Sequence, residues 1–259
     1  MLILLVAACV KTFPAGPSVR GLSEYDVAVV AASGPRQLSA LYSLEITPAT
    51  DTAWVFRTVR GEGTWEEGGK PLSFDSDKPS RSDPWPLRLQ HVVSSVPAVV
   101  VVDASGAPME LVDPDGWSAD VRRALYDTDL PVEAMRSGEA LVDPVGMVAD
   151  LRRSFPGRPP SEEWVRHGRV AGLQVERRES CTETREGRVQ VFRCDGTVRG
   201  PDDGSARLHD VTTWTELRLD RHGMASLEEG YSGTLVMMAP DESGVLDRPI
   251  AGRRLVERR

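Results

Sequence analysis

Lysine is almost missing from this chain: only Lys11, Lys70 and Lys78 stand among its 31 basic residues, and the rest are arginines. Acids outnumber the bases 39 to 31, for a formal net charge of -8. That balance excludes a nucleic-acid partner, because phosphate contacts need a concentrated basic face. No apolar run approaches the roughly 20 residues of a membrane-spanning helix. Histidine is scarce, and His91, His167, His209 and His222 have no partner at metal-ligand spacing; HExxH and CxxC are both missing. So are the GxSxG elbow, the Walker loop and the dinucleotide glycine loop, since Gly230-Tyr231-Ser232-Gly233 has the wrong spacing for a nucleophile. The sequence thus offers no complete catalytic set, no metal site and no cofactor. With 40% hydrophobic and 27% charged residues in 259, the chain has ample material for a folded core.

The N-terminus carries the clearest signal. Residues 1–10 are uncharged and apolar, and small residues at Ala7 and Ala8 lead into Cys9. Such a run is too short to span a bilayer but matches the apolar part of a signal peptide and its cleavage point. Val6-Ala7-Ala8-Cys9 resembles the lipobox of bacterial lipoproteins. The resemblance implies cleavage before Cys9 and acylation of its thiol and new amine, anchoring the protein in a membrane. Residues 1–8 are then a signal peptide cut short at its start. Residues 9–23, with Pro14, Gly16, Pro17 and Gly21, form a lipidated tether. Residues 24–259 form a single β-rich domain. Val10, in place of aspartate after the lipidated cysteine, implies an outer-membrane lipoprotein facing the periplasm or the cell surface.

Lipidation of Cys9 would leave an even pair, Cys181 and Cys194, in an oxidising compartment. The pair brackets a strand–turn–strand pattern turning at Glu186-Gly187, which predicts a disulfide across a hairpin. Val-Val-Val-Asp103-Ala-Ser-Gly106 and Leu-Arg-Leu-Asp220-Arg-His-Gly223 share an apolar run followed by Asp-x-x-Gly. Aspartate bonds its own backbone two residues on and glycine supplies positive φ, so both predict hairpins. Asp195-Gly196 is a further turn signal. Alternation predicts strands over 41–46, 53–59, 99–102, 168–177, 189–193, 211–219 and 224–237. Trp117, Val121, Ala124 and Leu125 share one helical face, and Val145, Val148, Ala149 and Leu151 suggest a second helix. The expected fold is α+β: a mainly antiparallel, curved sheet built of hairpins, with short helices inserted in its middle over 117–155. In outline this is similar to the lipoprotein-carrier fold of the cell envelope, on the pattern of elements alone.

Other features read as structural. Asp113-Pro114-Asp115-Gly116 lacks the later oxygen ligands of a calcium loop and reads as a turn before a helix. Glu66-Glu67, Glu162-Glu163 and Glu228-Glu229 read as solvated edges, because neighbours on a strand face opposite ways. Arg253, Arg254, Arg258 and Arg259 read as a solvated tail or an edge strand. Among the six tryptophans, Trp54, Trp65 and Trp214 are the candidates to line a ligand cavity. Two function classes follow. The first is a membrane-anchored, non-catalytic envelope lipoprotein that binds a lipid, a peptide or a partner protein. The alternative is an envelope hydrolase whose catalytic residues are scattered along the chain.

If Cys9 carries the anchor, a clickable fatty acid fed to expressing cells labels the wild-type protein and leaves Cys9→Ser unlabelled. Equal labelling of both would refute the lipobox.

Overall fold

The computed structural model describes residues 22–139, 141–170, 173–200, 206–238 and 245–259. Cys9, the apolar start and the tether through residue 21 lie outside the described residues. The N-terminal strands are β1 (Ser23–Ser33), β2 (Arg36–Thr50), β3 (Ala53–Glu67) and β4 (Lys70–Asp75). Helix α1 (Trp85–Ser95) precedes β5 (Ala98–Val102) and β6 (Pro108–Leu111). Three helices follow: α2 (Pro114–Tyr126), α3 (Val132–Glu139) and α4 (Pro144–Ser154). The C-terminal strands are β7 (Glu163–Val170), β8 (Leu173–Glu186), β9 (Val189–Arg199), β10 (Ala206–Asp220), β11 (Gly223–Met238) and β12 (Val245–Arg258).

All twelve strands join one antiparallel sheet in the order β6-β5-β3-β2-β1-β12-β11-β10-β9-β8-β7, with β4 beside the far half of β3. This corrects the α+β expectation. The four helices described are few beside the sheet, and they flank it instead of being inserted in its middle over 117–155. The reason is topological: α2, α3 and α4 connect β6 to β7, the two outer strands, so they interrupt no pairing. Ten steps of about 4.8 Å would set those edges about 48 Å apart in a flat sheet. Yet α4, only about 10–12 Å across, packs against both β6 and β7. The sheet is therefore curled into an incomplete barrel, and α4 fills its gap.

Local chemistry explains the turns and the caps. Asp103 Oδ1 accepts from Ser105 N at 2.8 Å and Ala107 N at 3.0 Å, and Gly106 follows at φ 83° between β5 and β6. Asp220 Oδ1 accepts from His222 N at 2.7 Å, and Gly223 at φ 103° opens β11. Asp113 and Asp143 cap α2 and α4, accepting from Gly116 N and Gly146 N at 2.9 Å, with proline in the first turn of each helix. A Cβ at Gly116 would sit 2.3 Å from Asp113 Oδ2, so a larger residue there makes the capping carboxylate shift. Asp195-Gly196 proves to be no turn. It lies within β9, where Gly196 lets the Arg178 carbonyl approach to 2.0 Å from where a Cβ would be. The single strand expected over 168–177 is instead the end of β7 and the start of β8, paired antiparallel.

One face of the sheet carries the core. In β3, Trp54, Phe56, Thr58, Gly61, Gly63 and Trp65 share it only because Val59 is an unpaired bulge, with Leu44 opposite Thr58 and Ser43 opposite Arg60. Without that residue Gly61, Gly63 and Trp65 would turn to the other face. The helices contribute Leu87, Leu89, Trp117, Val121, Leu125 and Val148 to the same cluster as Tyr25, Ile46, Phe56, Leu217 and Val256. Cys181 and Cys194 stand opposite each other across β8 and β9 and form a disulfide with an S–S distance of 2.07 Å. Closing so short a loop stabilises the folded state by about 3 kcal/mol in the chain-entropy model.

Gly106→Val is expected to lower stability by about 1 kcal/mol or more, because a β-branched residue resists positive φ. Asp103→Asn, whose amide oxygen accepts the same backbone bonds, is expected to move a thermal melt little. Equal shifts in both variants would refute this account of the turn.

Candidate functional site

The two faces of α4 divide the site. Val145, Val148, Ala149 and Arg152 recur at helical spacing and line a cavity of about 710 Å³. Met109, Glu110 and Leu111 of β6 form one wall; Trp164, Val165, Arg166 and His167 of β7 form the other. The cavity thus occupies the gap in the incomplete barrel, and its volume falls within the roughly 300–1,000 Å³ of small-molecule sites. Its apolar lining includes unusually exposed groups: Val145 is 81% exposed, Val165 51% and Met109 47%. Arg166 lies over the Trp164 ring, 4.0 Å from its centroid.

Beneath the cavity lies a buried polar layer. The core face of β10 reads Leu219, Leu217, Thr215, Thr213, Val211; that of β11 reads Met224, Leu227, Glu229; that of β12 reads Val256, Arg254 and, further on, Ile250. The first residues of each row belong to the main apolar cluster and Val211 and Ile250 to a second one, with the polar groups between. Arg166 donates to Glu179 at 2.7 Å, to Glu229 at 3.1 Å and to Thr215 at 2.6 Å. Arg177 donates to Glu229 at 2.8 Å and ion-pairs with Glu179 at 3.2 Å. Arg153 of α4 meets Glu229 at 2.5 Å, and Arg254 donates to Ser154 Oγ at 2.5 Å.

Arg177 and Glu229 are each 2% exposed and Glu179 3%, so this is a buried ionic network. Burial on its own would raise the Glu229 pKa. Attraction to Arg153, Arg166, Arg177 and Arg254 overcomes it and holds the carboxyl well below the usual range. Burial also pushes the Arg177 and Arg254 pKa values down, with Glu229 opposing that fall in both. Three guanidiniums, those of Arg153, Arg166 and Arg177, therefore ion-pair with two carboxylates, Glu179 and Glu229, while Arg254 feels Glu229 and Asp150 with no carboxylate within ion-pair distance among the described residues.

The structure does not bring the three tryptophan candidates together. Trp54 is buried and Trp65 half-buried, both on the core face of β3. Trp214 lies on the opposite face of the sheet over Gly230, because its neighbours Thr213 and Thr215 take the buried side. None of the three lines the cavity; Trp164 does. The glutamate pair at 228–229 is not a solvated edge: Glu228 pairs with Arg253 on the outer face, while Glu229 anchors the network. The C-terminal arginines are neither tail nor edge, since β12 is central in the sheet. Arg258 pairs with Asp220 and Arg259 with Asp26. His91 packs against Phe74, and burial lowers its pKa. His209 pairs with Asp210 at 3.0 Å in an exposed position, and His222 sits at a hairpin tip. The alternation Leu227–Glu229–Tyr231 was the available signal for the network, for it puts Glu229 in line with apolar positions.

No family model matches the chain, and no curated protein matches it either. Among solved structures, it is similar to lipovitellin at 10% identity and a TM-score of 0.49, over 92% of this chain and 25% of that one. The chain thus spans about a quarter of lipovitellin's length. A LolA superfamily protein from Nitrosomonas europaea aligns over 92% of this chain and 86% of its own at 7% identity, with a TM-score of 0.16.

Glu229→Gln should destabilise the fold by about 3–5 kcal/mol, because it leaves buried guanidiniums uncompensated. Since the folded-state pKa is depressed, the stability Glu229 supplies is complete above the ordinary glutamate value of 4.5 and is lost as pH falls well below it. Urea melts should therefore show the gap between wild type and variant at pH 7, narrowing below about pH 4.5. A constant gap would contradict the assignment.

Proposed function

We propose that this chain is a non-catalytic envelope lipoprotein that binds a lipid in the gap between its two sheet edges, tethered to the membrane through Cys9. The observation that carries the reading is the cavity: an apolar α4 face and two strand walls, with arginines at one end. Side chains of that kind suit an acyl chain on one side and a polar headgroup on the other. Each methylene taken out of water contributes about 0.8 kcal/mol. The polar layer supports a binding role over catalysis. Both of its carboxylates are engaged by arginines, and Glu229 is held ionised, so that group is not poised as a proton donor. The lipobox resemblance of Val6-Ala7-Ala8-Cys9 supports the anchor and, with Val10 after it, the outer membrane.

Native mass spectrometry of the full chain carrying Cys9→Ser, purified without detergent, is expected to reveal a co-purified lipid. Ala149→Trp, at an exposed position of α4 that lines the cavity, should abolish it. A ligand-free protein that also fails to bind a fluorescent fatty acid would overturn the reading, as would retention of lipid by Ala149→Trp.

A further inference from the structure

We infer that the lipid is anionic and that its headgroup is recognised by Arg152, Arg153 and Arg166 where the C-terminal end of α4 meets β7. This deepens the binding function proposed above and rests on it. The starting point is charge. The protein as a whole is strongly acidic, with a net charge of -8. Around the cavity floor the balance reverses, because Arg153, Arg166, Arg177 and Arg254 face Glu179, Glu229 and, beyond ion-pair distance from Arg254, Asp150. Buried charge that lacks a counter-charge is expensive, so the folded protein gains from an anion close to this cluster.

Two further observations place that anion in the cavity. Arg152 lines it, is exposed, and forms no ion pair among the described residues, so its guanidinium is free for a ligand. Arg166 also lines it with a side chain only 9% exposed, and its Nε has no hydrogen-bond partner among the described residues. Guanidiniums present parallel N–H donors that fit a phosphate or carboxylate in two-point contact. Val145, Val148 and Ala149 continue from Arg152 along the same face of α4, so a headgroup at the arginines leaves its chain on an apolar track. Glu110 of β6 is the one acidic side chain in the lining among the described residues, and it would oppose a second negative charge at that wall.

The test uses the full chain carrying Cys9→Ser, with a neutral environment-sensitive fluorophore held in the cavity. Dodecyl phosphate, dodecanol, dodecyltrimethylammonium and inorganic phosphate are titrated as competitors. Dodecyl phosphate is expected to displace the fluorophore at least about tenfold better than dodecanol, a difference of 1.4 kcal/mol. Arg152→Gln should remove most of that preference and leave dodecanol unchanged, and Arg152→Glu should reverse it. Arg152 is unpaired, so neither substitution threatens the fold. Equal displacement by dodecyl phosphate and dodecanol would overturn the headgroup assignment while leaving lipid binding intact. Displacement by inorganic phosphate at the same concentration would overturn it in favour of a free anion. Failure of every amphiphile would overturn the lipid-binding reading itself.

Discussion

An unclosed antiparallel sheet leaves a row of unpaired N–H and C=O groups along each edge, and here both rows are brought to one helix. The strand order ends in β6 on one side and β7 on the other, and α4 packs against both. The edges cannot pair with each other across an intervening helix, so the barrel stays open by that width. Much else depends on this constraint. The capped start of α4 at Asp143 fixes which residues face the gap, and the gap is the cavity. β6 is short and begins with a proline, a common way to blunt an edge against pairing with other chains.

The polar layer shows how such a structure holds its helix in one position. Apolar contacts are tolerant of small slides, whereas a guanidinium that must reach a particular carboxylate is not. Arg153 ties α4 to Glu229 on β11, and Ser154 at the end of the helix receives Arg254 from β12. Those two strands are central in the sheet, so the helix in the gap is registered against the sheet's middle as well as its edges. The ionic layer also separates two apolar clusters: the larger joins the helices and β1 to β6 to residues of β9 to β12 on one side of it, and the smaller lies on the other.

Local chemistry was legible in the sequence. The Asp-x-x-Gly turns at Asp103 and Asp220, the cysteine pair across a hairpin and the helical faces at Trp117 and Val148 follow from rules that span a few residues. What escaped depends on partners far along the chain. Helix α1 has no side-chain cap and no acidic first turn, and the proline in its first turn is the one start signal its own residues carry. Asp195-Gly196 carries the composition of a turn, but glycine is there for the close passage of β8. Glu229 reads as an exposed acid until the arginines of β7, β8 and α4 are brought beside it. Trp214 falls outside the core because the residues on either side of it take the buried face. The alternation that revealed strands could not reveal their order, and order decides which positions are central.

The seam between β1 and β12 has a consequence for assembly. Strands β1 to β6 and β7 to β12 form two halves in which most pairing runs between sequence neighbours, and among the described strands the halves pair with each other only where β1 lies beside β12. The hairpin joining β10 to β11 closes with Asp220 and Gly223 three positions apart, whereas Asp26 and Arg259 at the seam are 233 apart. That is roughly six doublings of loop length, about 4 kcal/mol of additional closure entropy, so local zippering precedes the seam. Until the last strand arrives, β1 stands as an uncovered edge with the run Val-Ala-Val-Val-Ala-Ala over 27–32. A stretch of that composition invites pairing with other chains, so the interval between synthesis of the first half and arrival of β12 is when this protein most needs a chaperone.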